Sequence, residues 1–103
     1  MVHAPKRVEA IRANAAAQLQ AASDLETQVK DAYFQQRLQL IRRRVADVDR
    51  SFLQSLTLES RTPEEESAWL ADAERVLYIA SLQIELIQDS VAKYGPHAAA
   101  AGR

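Results

Sequence analysis

The chain has 103 residues, 13 Lys and Arg against 14 Asp and Glu, and no cysteine. A net charge of −1 gives no global attraction to nucleic acid or an anionic membrane, and the absence of cysteine excludes disulfides, thiolate zinc sites and cysteine nucleophiles. Sheet proteins draw on turn residues every ~8–12 positions, whereas neither glycine nor proline occurs from Lys6 to Thr62 or from Glu64 to Tyr94, so the chain is all-α.

The N-terminal residues 1–5 read as a flexible lead into a single helical domain over 6–94. No run approaches the ~18 apolar residues of a membrane span, and the start lacks a signal-peptide core, so the expected location is cytoplasmic with no membrane contact. The first helix covers about 6–30. Its apolar stripe runs through Val8, Ile11, Ala15, Leu19, Ala22, Leu25 and Val29. The second covers about 31–59, with a stripe through Phe34, Leu38, Ile41, Val45, Val48, Phe52 and Leu56. The two stripes are out of phase by roughly 130°. A break between Leu19 and Tyr33 resolves that mismatch. Ser23-Asp24-Leu25-Glu26 has the form of a capping box and offers one break point. Against it, Ala22, Leu25 and Val29 hold their register across Ser23, and both readings stay open.

The third helix covers 63–94 and has the clearest boundaries. Thr62 stands at the N-cap, Pro63 at N1 and Glu65 at N3, with acidic Glu64, Glu65 and Glu66 beside the helix amides. Lys93 lies in the last turn, Gly95 suits the left-handed position after it, and Pro96 blocks continuation. Leu70, Leu77, Ile84 and Val91 repeat every seven residues, with Ala73, Ala80, Ile87 and Tyr94 as the second row. Trp69, Val76, Ile79 and Leu86 widen this stripe beyond a two-stranded seam, so the helix needs at least two neighbours. A helix of about 47 Å spans only residues 28–59 of an antiparallel partner. Residues 6–27 then either fold back as another helix or project onto a second chain. Residues 95–103 read as a disordered tail.

The expected architecture is a long antiparallel helical hairpin, three helices in all, assembling as a helical bundle. Much of the apolar content is alanine, which buries little area, and small helical chains complete such thin cores by association. A homodimer is therefore expected. Its assembly face is placed on Leu70, Leu77, Ala80, Ile84, Ile87 and Val91, with Leu38, Ile41, Val45, Val48 and Phe52 opposite. Tyr78 lies off the main seam and either packs on a third neighbour or is exposed as a partner contact.

Arg42, Arg43 and Arg44, with Arg37 and Arg50, form the one basic cluster, five arginines over residues 37–50 against Asp47 and Asp49. They offer phosphate or acidic-partner contacts, as in a nucleic-acid-binding helical hairpin. No aromatic interleaves with them for base stacking, and Arg43–Asp47 spacing equally suits helix-surface ion pairs. The segment Leu40-Ile41-Arg42-Arg43-Arg44-Val45-Ala46-Asp47-Val48-Asp49-Arg50, continuing to Leu53, Leu56 and Arg61, resembles the first helix of the all-helical chorismate mutases. That resemblance covers about a fifth of the chain. Those enzymes follow this helix with a short helix bearing a catalytic lysine. Here the chain runs almost directly into Thr62-Pro63, with Lys93 the only later lysine, and the activity is not carried over.

His3 and His97 lie in the terminal segments, where neither suits a buried metal ligand. Glu85 and Asp89 fall on the polar side of the third helix, and serines and threonines lack a nearby histidine. The expectation is no catalytic residue, no cofactor and no metal. The functional expectation is a non-enzymatic protein–protein interaction module, a small adaptor, regulator or chaperone-like subunit acting through helix–helix contacts.

Overall fold

The computed structural model describes residues 2–98. Among them are four α-helices, α1 (Pro5–Gln28), α2 (Ala32–Val48), α3 (Ser55–Leu58) and α4 (Pro63–Tyr94), and no strand. A π-helical segment, Asp49–Leu53, continues α2 towards the single turn of α3. The long helices α1, α2 and α4 each pack on the other two, giving a bundle 50 Å long. Residues 6–27 therefore fold back within the chain.

Local chemistry sets the ends of α4. The Thr62 hydroxyl accepts from the Glu65 amide at 3.1 Å, and the Glu65 carboxylate accepts from the Thr62 amide at 3.0 Å. These bonds, chiefly that from the Thr62 amide, hold the Glu65 carboxyl below its ordinary pKa. At the far end Gly95 has φ +81° and donates its amide to Val91 O at 2.8 Å. Only glycine adopts that backbone without strain.

α1 has no capping side chain of its own. The amides leading into it are held by the Glu66 carboxylate from α4, which accepts from His3 N at 2.9 Å and from the N-cap Ala4 N at 2.8 Å. The His3 ring also bonds Arg61 O at 2.8 Å. Residues 2–4 are thus tied down rather than a loose lead.

α1 passes through Ser23 without interruption and stops after Gln28. The change of phase falls at residues 29–31, inside the expected interval. Val29 and Asp31 are extended there, and Val29 is buried. The apolar stripe that crosses Ser23 outweighs the local capping signal. Lys30 N then donates to Pro96 O at 2.8 Å, and Ala98 is buried. The first residues of the expected tail therefore dock against the α1–α2 link, whereas 99–103 lie outside the described residues.

The core joins Leu38, Ile41, Val45 and Val48 of α2 to the inner side of α4 and to Val8, Ile11, Ala22 and Leu25 of α1. One expected core position is displaced. The π turn, closed by Gln54 N to Asp49 O at 2.8 Å, inserts one residue into the helical repeat. Leu53 consequently takes the buried place expected for Phe52. Phe52 is half-buried, its ring 5.4 Å from that of Trp69, and its carbonyl accepts from Trp69 Nε1 at 2.8 Å.

Candidate interaction surface

α4 is apolar on two sides. Its inner side carries Leu70, Leu77, Ala80, Ile84 and Ile87, all buried, and half-buried Val91. These are the residues expected to form an assembly face. In the structure they meet α1 and α2 of the same chain, so contact with anything else has to use another surface.

That other surface is the outer side. Tyr78 is 63% exposed, Ile79 48%, Leu82 47% and Leu86 68%. Their spacing of one, three and four residues places them on one strip of helix, within roughly 100° of arc. The hydroxyls of Ser81 and Ser90 turn back onto their own helix, donating to Tyr78 O at 2.6 Å and Leu86 O at 2.9 Å. The strip is bordered by charge. Arg75 pairs with Asp72 at 3.0 Å, while Glu85, Asp89 and Lys93 are exposed. A shallow cleft of about 90 Å³ between α2 and α4, lined by Tyr33, Phe34, Arg37, Gln83 and Leu86, adjoins it. A contiguous exposed apolar patch of this kind marks a contact site. Ile79 and Leu86 were legible as stripe residues and Tyr78 as a side chain off the main seam. Leu82 completes the strip at the four-residue spacing from Tyr78 and to Leu86.

The arginines converge only in part. Successive helical residues point roughly 100° apart, so Arg42, Arg43 and Arg44 fan around α2. Arg42 donates to Glu26 of α1 at 2.6 Å, and Arg50 pairs with Asp47 at 3.0 Å. Arg43 and Arg44 are exposed. Arg42 and Arg43 line an open groove of about 560 Å³ between α1 and α2 with Leu19, Ser23, Gln39 and Ala46. Arg44 and Arg50 lie outside it.

Three polar side chains act where sequence reasoning did not place them. Glu66 was assigned to its own helix terminus, yet it is 2% exposed and caps α1. Its spacing of four and seven residues from Leu70 and Ala73 puts it on the inner stripe, a signal present in the sequence. Gln18 is buried in place of Leu19 and donates to Leu77 O of α4 at 2.8 Å. Arg7 of α1 grips Glu74 of α4, its Nε 3.1 Å from one carboxylate oxygen. That contact raises the Arg7 pKa and holds Glu74 below its ordinary value, the hydrogen bonds outweighing desolvation.

Among the described residues no group of three His, Cys, Asp or Glu is arranged to hold a metal ion, and no helix is long and apolar enough to cross a membrane. Comparison with protein-family models, with curated proteins and with solved structures returns no match for this chain.

Proposed function

We propose that this chain is a non-enzymatic, cytoplasmic protein–protein interaction module that docks through the outer face of α4. The observation that carries the reading is the exposed strip of Tyr78, Ile79, Leu82 and Leu86. Four large apolar side chains on one helix face lose hydration cost when another helix or groove covers them. The bundle beneath supplies a rigid platform, since α4 is seated on two neighbours along its inner side.

A photo-crosslinking side chain placed at Ile79, compared with one at exposed Gln36 on α2, tests this in cells of the source organism. Discrete protein adducts from position 79 and none from 36 are expected, whether the adduct is a second copy or another protein. Equal labelling from both positions, or adducts with RNA or DNA from position 79, overturns the reading. Salt-dependent RNA binding that disappears when Arg42, Arg43 and Arg44 are all replaced by alanine would move the function to the arginine cluster.

A further inference from the structure

We infer that the occupant of the outer α4 face is a second copy of this chain, paired antiparallel about a two-fold axis through Leu82. The inference rests on reading that face as a docking surface, and it is argued from the order of charges along it.

Arg75 lies seven residues before Leu82 and Asp89 seven residues after, on nearly the same line of the helix. Both are exposed, at the two ends of the apolar strip. Laid antiparallel with Leu82 on the axis, Arg75 of each copy comes level with Asp89 of the other. Leu82 meets its own counterpart. Tyr78 of one copy comes level with Leu86 of the other, and Ile79 of one copy lies one residue, about 1.5 Å, out of level with Leu86 of the other. Every position is matched twice, as an isologous contact requires. Laid parallel, the same face would set Arg75 against Arg75 and Asp89 against Asp89. The charge order therefore matches a second copy laid antiparallel, with Arg75 shared between Asp72 of its own helix and Asp89 of the other copy.

Tyr78, Ile79, Leu82 and Leu86 are 47–68% exposed, and covering this one strip falls at the small end of specific interfaces, which bury about 1,200–2,000 Å² in all. Such a pair is expected to be of modest affinity and concentration-dependent.

Sedimentation equilibrium of the purified full chain over a range of concentrations at low salt tests this. A monomer–dimer equilibrium is expected. Leu82 is exposed, so Leu82→Glu should leave helicity unchanged and weaken the dimer about tenfold or more. Arg75→Asp and Asp89→Arg should each weaken it about fivefold, because each reverses two contacts. The chain carrying both reversals should pair like the parent, an outcome that only antiparallel pairing of 75 with 89 produces. The chain has no cysteine, so Leu82→Cys gives a second readout: it should oxidise to a covalent dimer faster than Gln36→Cys.

A parent chain that stays monomeric at high micromolar concentration overturns self-pairing. If Ile79 still crosslinks a different protein in cells, the docking reading survives that failure. If position 79 labels nothing, both fall. A dimer unaffected by Leu82→Glu, or single charge reversals not restored in the double variant, also overturns the antiparallel pair.

Discussion

Leu77 and Leu82 stand on the same helix, about 140° apart around its axis. Leu77 is fully buried between α1 and α2, whereas Leu82 is 47% exposed. The inner and outer faces of α4 are both apolar, and periodicity alone did not separate them. What separates them is the fold-back of α1. α1 and α2 fill the inner side and the gaps beside it, and among the described residues none covers the outer side. A wide apolar stripe thus reports how much surface a helix must bury, not which chain will bury it.

The difference between the faces can be broken most sharply by deletion of equal groups. Leu77→Ala is expected to cost about 3 kcal/mol in urea unfolding, through lost burial and the cavity left behind. Leu82→Ala should change stability by less than about 0.5 kcal/mol when measured at low chain concentration. Equal losses from both would show that the outer face is covered in the isolated chain.

A second test concerns the polar residue set into the inner face. Glu66→Ala leaves the His3 and Ala4 amides without their carboxylate and is expected to cost about 2 kcal/mol. Hydrogen exchange should quicken over the first turn of α1 while α4 stays protected. Loss of protection in α4 instead would assign Glu66 to its own helix terminus.

The smallest effect lies on the flank between the faces. Arg7 holds the Glu74 carboxyl below its ordinary value of 4.5. The pair therefore stabilises the fold above about pH 4.5, and that contribution fades as pH falls through the lowered folded value. Both side chains are partly exposed, so Glu74→Gln should cost only about 0.5 kcal/mol at pH 7. The melting curves of parent and variant should converge as pH drops below 4.5. A constant gap down to strongly acid pH would deny the ion pair any part in it.

Much of the fold could be read from residues alone, and for identifiable reasons. Thr62-Pro63 and Gly95-Pro96 are local chemistry, and they set α4 to the residue. The break between α1 and α2 had to be inferred from a change of phase, because no proline or glycine marks it. It could be bounded but not placed. The π turn had no local signature: Phe52 continues the three–four spacing, and the extra residue of the π turn puts Leu53 inside while Phe52 meets Trp69. The outer face was half legible. Ile79 and Leu86 were visible as apolar, but their exposure depends on where α1 lies, and that is a property of the tertiary structure. The arginines illustrate the converse. Three in a row look like a patch in the sequence, but helical geometry sends Arg44 away from the groove that Arg42 and Arg43 line.

The cap that Glu66 places on α1 has a consequence for the order of events during synthesis. Its bond to the Ala4 amide spans 62 residues. A chain made from its N-terminus exposes α1 long before the first turn of α4 exists. Until then the His3 and Ala4 amides that lead into α1 must be satisfied by water. α1 is made before α4, yet its start is secured only once α4 has begun to form.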